Sequence, residues 1–120
     1  MLFGGYTSIS WNYDHIKEAG SAFIFSLNKK TQHYNYTNKN SIFSGLRKVD
    51  EKELLGFGFG GGDIWINNNC KSNNYSYSYL GTDFELPIGI AKDSNKANSY
   101  LAESHRFKVL EIETFAIKFI

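Results

Sequence analysis

Residues 56–66 read GFGFGGGDIWI, and the fold turns on how the glycines in it are understood. Gly56, Gly58 and Gly61 satisfy the G-x-G-x-x-G spacing of a dinucleotide-binding loop. Such a loop works only after a strand and before a helix, so that the helix N-terminus faces the pyrophosphate. Here the segment after the glycines, Asp63 to Ile66, is short, apolar and β-branched, which predicts a strand. The segment before them, Leu46 to Leu55 (LRKVDEKELL), spaces Leu46, Val49 and Leu54 like one face of a short helix. The order is the reverse of a nucleotide fold. No Gly-Lys-Ser/Thr follows, and no acidic residue closes a second strand further on. The glycines are therefore expected to serve the backbone, as a tight turn or bulge at a strand entrance.

Working outward, the chain alternates strand patterns with turn residues. Phe3 to Trp11 (FGGYTSISW) has one apolar side, and Asn12 to Gly20 reads as a loop or one helical turn. Ala22 to Leu27 (AFIFSL) is a continuous apolar run, which predicts a strand buried on both faces. Asn28-Lys29-Lys30 forms a turn into Gln32 to Thr37, giving a hairpin. Ser41 to Phe43 reads as a short strand. Asn67 to Asn74 is a polar turn, and Tyr75 to Leu80 (YSYSYL) has strict period two. Asp83 to Leu86 starts another short strand, Ile88 to Asn98 is a polar loop, and Tyr100 to Ser104 a turn or short helix. His105 to Ile120 is the longest strand candidate, with two parity flips that suggest bulges or a strand changing partners. The sum is mainly β (α+β): a two-sheet antiparallel β-sandwich with a few short helices.

Bulk properties narrow the function. A chain of 120 residues suits a single domain, residues 1–120, with a proper core. A formal net charge of +1 gives no strong attraction to nucleic acid or anionic lipid, so no nucleic-acid partner is expected. The lone Cys70 cannot close an internal disulfide, which points to a reducing compartment. No apolar run approaches the ~20 residues of a transmembrane segment. The N-terminus lacks the basic-then-apolar pattern of a signal peptide.

The candidate chemical groups are sparse. Asp63, Glu111 and Glu113 sit beside apolar strand positions, where carboxylates cap loops or strand ends more often than they do acid–base work. His15, His33 and His105 have no metal-ligand spacing. Cys70 lies beside Lys71 in a polar turn and reads as an incidental exposed thiol, with a redox role as the sharper alternative. Tyr75, Tyr77 and Tyr79 share one face and, with Trp65, offer stacking surface for sugars or bases, although sheet packing is the commoner fate of such a row. The basic groups Lys29-Lys30, Arg47-Lys48 and His105-Arg106-Lys108 are scattered along the chain. No cofactor and no metal are expected.

FGGYTSISW, AFIFSL, GFGFGGGDI, YSYSYLG and YLAESHRFKVLEIETF occur in this order. That succession resembles the TLDc family, the domain of the oxidation-resistance proteins, from Phe3 to Phe119. The motif positions are Gly4, Gly5, Tyr6, Trp11, Gly58, Gly60, Gly62, Asp63, Gly81, Leu101, Phe107, Glu113 and Phe115. Phe57 stands where the family often has proline, and Glu103 where it usually has glycine. The family's domains usually carry a longer front, so the chain looks like the C-terminal two-thirds of the domain or a short member. The resemblance implies a β-sandwich and a role in oxidative-stress resistance. It also implies a protein partner, with subunits of the proton-pumping V-ATPase as one candidate. A non-enzymatic, cytoplasmic interaction domain is thus expected; mitochondrial or membrane-associated placement through a partner is the alternative. Competing expectations are a hydrolase or peroxide-reactive protein using Ser104, His105, the acidic residues or Cys70, and a carbohydrate-binding sandwich.

Overall fold

The computed structural model describes residues 1–8, 21–37 and 41–117. The expected features at Trp11, His15 and the 12–20 loop lie outside them. Among the described residues eight strands form two antiparallel sheets. The first has the order β1 (Phe3–Thr7), β2 (Ala22–Ser26), β3 (Thr31–Tyr34). The second has the order β4 (Ile42–Val49), β5 (Lys52–Phe59), β6 (Ile64–Asn67), β7 (Ser76–Tyr77), β8 (Arg106–Phe107). One helical turn, α1 (Asn95–Asn98), starts at Ser94, whose hydroxyl accepts the Ala97 amide.

The sheets meet face to face, as expected of a sandwich. Ile24 and His33 face inward from the first sheet, and Ile42, Phe59, Ile64 and Ile66 from the second. Leu80, Phe84 and Leu101 complete the core from the connecting loops. The Phe59 ring lies directly against Gly5 of β1, where a Cβ would sit 2.4 Å from its tip. Gly5 therefore sets how closely the two sheets approach. In β2, Ala22, Ile24 and Ser26 are buried, but Phe23 and Phe25 are only half-buried. The strand is not sealed on both faces: its outer side carries an aromatic group in which Phe23 packs against Tyr6, Phe25 and Tyr34.

His33 has both ring nitrogens engaged, with Nδ1 donating to the Glu85 carbonyl at 2.9 Å and Nε2 accepting from the Thr31 hydroxyl at 3.0 Å. Burial holds its pKa below the ordinary 6.5, against smaller opposing contributions from Glu85. Below that pH the unfolded chain takes up a proton that the folded chain refuses, so stability falls with acidification. We expect the unfolding midpoint to drop between pH 7 and pH 5 by more in the wild type than in His33→Gln.

The helix expected over Leu46–Leu55 is a β-hairpin instead. β4 and β5 pair over eight positions, from Ile42↔Phe59 to Val49↔Lys52, with Leu46 opposite Leu55 and Lys48 opposite Glu53. Leu46 and Val49, assigned to one helical face, fall on opposite faces of a strand. The turn itself is Asp50-Glu51, with φ of 50° and 65°. Two successive left-handed residues make the turn that matches the twist of paired strands, a role usually given to Asn-Gly or Asp-Gly. Glu51→Gly removes one strained residue whose side chain is 89% exposed. It should stabilise the fold by about 1 kcal/mol and raise the melting temperature by a few degrees.

Two further expected strands are corrected. Among the described residues Asp83–Leu86 makes only one isolated bridge, Asn35↔Phe84, because the amides of Asp83 and Phe84 are taken by a side chain described below. Of His105–Ile120, residues 118–120 lie outside the described residues, and among the others only Arg106–Phe107 is in a strand. Residues 108–117 have a strand's side chains but no neighbouring strand among the described residues. Leu110 and Phe115 are 88% and 79% exposed in consequence.

Candidate functional site

The glycine stretch is the corner of a β-hairpin. Gly56 and Gly58 are inside β5, paired with Asn67 and Trp65 of β6, and Gly60–Gly62 turn the chain between them. Gly62 has φ of 146°, a left-handed conformation that favours glycine. The dinucleotide reading fails as expected, though the segment ahead of the glycines is a strand and not a helix.

The turn delivers Asp63 into the interior, where it is fully buried. Its Oδ2 accepts the amides of Gly81 at 3.0 Å and Phe84 at 3.0 Å, and Oδ1 accepts that of Asp83 at 2.9 Å. Asp83 answers in the other direction: its Oδ2 accepts the Gly61 amide at 2.7 Å, and its Oδ1 the Thr37 hydroxyl at 2.8 Å. The 81–85 loop in turn bonds to the first sheet, through Tyr36 N to Asp83 O and Glu85 N to Tyr34 O. Two reciprocal carboxylates thus lock the glycine turn to the loop that bridges the sheets. Burial pushes the Asp63 carboxyl up to about 7; the amides of Phe84, Asp83 and Gly81 pull it down, and the Asp83 carboxylate adds a smaller upward push. Among the described residues every hydrogen-bond partner of the Asp63 carboxylate is a backbone amide, so its geometry is that of a brace and not of a proton shuttle.

The outer face of the second sheet gathers most of the remaining candidate residues. Tyr75, Tyr77 and Tyr79 point outward while Ser76, Ser78 and Leu80 are buried, so the period-two reading holds although only Ser76–Tyr77 is in the ladder. Trp65 is opposite Tyr77 in the register but is 1% exposed. The Arg47 guanidinium caps this cluster, 4.1 Å from the Phe43 ring centroid and 5.3 Å from that of Trp65. Its Nη1 donates to the Gly61 carbonyl at 2.7 Å and to the Tyr77 hydroxyl at 3.1 Å. Lys52 reaches the Tyr75 hydroxyl at 3.0 Å.

Beside them is a cleft of about 150 Å³ lined by Lys48, Val49, Asp50, Tyr77, Tyr79, His105 and Arg106. Arg106 pairs with Asp50; that hydrogen bond holds the Asp50 carboxyl below its ordinary range and raises Arg106. His105 Nδ1 donates to the Ser78 carbonyl at 2.8 Å, and its ring meets Tyr79 edge-on at 4.4 Å. The basic groups Arg47-Lys48 and His105-Arg106, distant in sequence, are brought to one place. Sequence reasoning noted each group but had no means of joining them, because it placed the first on a helix.

The other candidates fare differently. Cys70 is not exposed but buried in the core, 7% accessible, with its carbonyl accepting the Val109 amide. The turn's polar flanks hid its inward direction. Glu111, Glu113 and Phe115 are exposed and lie outside any strand. Gly4 of β1 is overlaid by the Phe25 ring, Tyr6 joins the outer aromatic group, and Gly81 donates to Asp63. Leu101 is in the core, with Phe107 half-buried against it and edge-on to Phe3. Gly60 directly adjoins the Asp63 carboxylate. Among the described residues no three His, Cys, Asp or Glu side chains cluster as metal ligands, and no helix is long and apolar enough to cross a membrane.

No curated protein and no solved structure matches the chain. A family model described as the TLDc domain matches residues 1–118. That span includes both sheets, the Asp63 brace and the exposed tail, and the chain belongs to the TLDc domain family.

Proposed function

We propose that the chain is a non-enzymatic protein-interaction domain of the cytosol, regulating V-ATPase assembly or resistance to oxidative stress. Membership of the TLDc family over residues 1–118 carries this reading. The fold supports it through the placement of its polar groups. The Asp63 carboxylate is spent on backbone amides and that of Asp83 on the Gly61 amide and the Thr37 hydroxyl, and Cys70 is buried away from peroxide. Trp65 is likewise too buried to stack on a sugar. What the sandwich offers to the outside is rigidly held surface, which is how an interaction domain acts. Affinity capture from cytosol with the intact chain, alongside an assembly assay of the pump after deletion, tests the proposal. Recovery of pump subunits and altered assembly are expected. Recovery of no pump subunit, with pump assembly and resistance to oxidative stress both unchanged by the deletion, would overturn it.

A further inference from the structure

We infer that the cleft between the β4–β5 turn and β8 receives carboxylate side chains from an acidic segment of a protein partner. This deepens the interaction reading by naming the surface and the chemistry it recognises. The cleft is built from two sequence-distant basic groups. Lys48 and Arg106 line it; Asp50, the only acid among the lining residues, is paired with Arg106, so Lys48 is the cation left to meet an incoming carboxylate. Arg47 stands immediately behind Tyr77. Lys48 has an ion-pair partner in Glu51 at 3.3 Å, but its side chain is 65% exposed and that of Glu51 89%. A pair so solvated holds its lysine weakly and can yield it to a better-placed carboxylate.

The hydroxyls add direction. Tyr77 Oη accepts from Arg47, so its own proton remains available to donate. Tyr75 Oη likewise accepts from Lys52, one step along the same row. A phenol that accepts from a cation is a stronger donor to an anion, because successive hydrogen bonds polarise one another. The Tyr79 ring, 40% exposed, and the His105 ring form the apolar wall on which the methylenes of a glutamate can rest. About 150 Å³ admits one such side chain, not a folded ligand. Repeated acids on the partner would place the next carboxylate by Lys52 and Tyr75. The main frame is rigid: Arg106 faces Tyr77 in the β7–β8 register, and the Ser78 amide bonds to the His105 carbonyl.

The test is a titration of the isotope-labelled 120-residue chain with a capped hexaglutamate peptide, at fixed ionic strength, followed by amide spectra. Saturable shifts are expected at Tyr77, Tyr79, His105 and Arg106, with none from hexaglutamine. Lys48→Gln, at an exposed site that leaves the fold intact, should weaken binding about threefold. His105→Gln should perturb the same shifts without changing the spectrum of β1–β3. Absence of saturable shifts at these four residues, or affinity unchanged in both variants, overturns the inference. Equal shifts from sodium phosphate at the same concentration also overturn it, since the cleft would then read any oxyanion. If hexaglutamate binds while capture recovers no pump subunit, the cleft stands and the proposed partner falls. The reverse result separates the two the other way.

Discussion

Gly58→Ala is expected to cost on the order of 4 kcal/mol, enough to leave much of the chain unfolded at 37 °C. A Cβ at this position would lie 1.9 Å from the Ile64 carbonyl oxygen and 3.1 Å from the Trp65 Cα. The obstruction is backbone, which cannot rotate aside as a side chain can. Both strands would have to part, and the β5–β6 ladder that carries Trp65 would part with them. Overpacking by one methyl in a compliant core costs less, about 1–3 kcal/mol. Chemical denaturation of Gly58→Ala decides the matter. A midpoint within experimental error of the wild type would show that the two strands do not approach this closely in solution.

Asp63→Asn is the second substitution with a large expected effect, a loss of about 3 kcal/mol at neutral pH. The amide keeps the shape of the carboxyl but turns one acceptor into a donor. Its nitrogen must then face the amide of Asp83 on one side or those of Gly81 and Phe84 on the other. Whichever way it turns, a buried donor is left without an acceptor. The pH dependence gives a second readout. The folded-state pKa of Asp63 is raised from 3.8 to about 7. Between those values the folded chain holds a proton that the unfolded chain has released. The contribution of Asp63 to stability therefore falls as pH rises through this window and is level above it. The deficit of Asp63→Asn relative to the wild type should accordingly be larger at pH 5 than at pH 8. His33 has the opposite sign, so only this difference isolates Asp63. A deficit that grows with pH instead would mean the amides outweigh burial.

Where the sequence was legible, the pattern and the packing agreed. The alternation in YSYSYL put the three tyrosines on one face, as found, and the structure shows that face to be the outer one. The apolar run AFIFS formed a strand, though only alternate residues are fully buried. The largest error came from Asp50-Glu51, a left-handed pair with no glycine or asparagine to announce it. Without that signal, two strands of mixed charge read as one solvated helix. The strand expected at Asp83–Leu86 failed for another reason. Nothing local shows that a carboxylate about twenty residues upstream takes the amides a ladder would need. The cleft was illegible for both reasons together, since its basic groups meet only once the hairpin is in place. Cys70 shows the limit of polarity as a guide: six polar neighbours do not prevent one side chain from turning inward.

The tail beyond β8 has a consequence for the solution behaviour of the chain. Leu110 and Ile112 are exposed on a stretch with no neighbouring strand among the described residues. Two copies laid edge to edge there could satisfy each other's backbone, the geometry from which fibrils and precipitates grow. Glu111 and Glu113 alternate with these apolar residues. In-register stacking would bring each glutamate against its own image. Like charges opposed in this way act as gatekeepers, making aggregation costly while leaving the segment open to a partner that carries no such charge. Neutralising the pair, as in Glu111→Gln/Glu113→Gln, would trade that protection for a lower limit on how concentrated the protein can be kept.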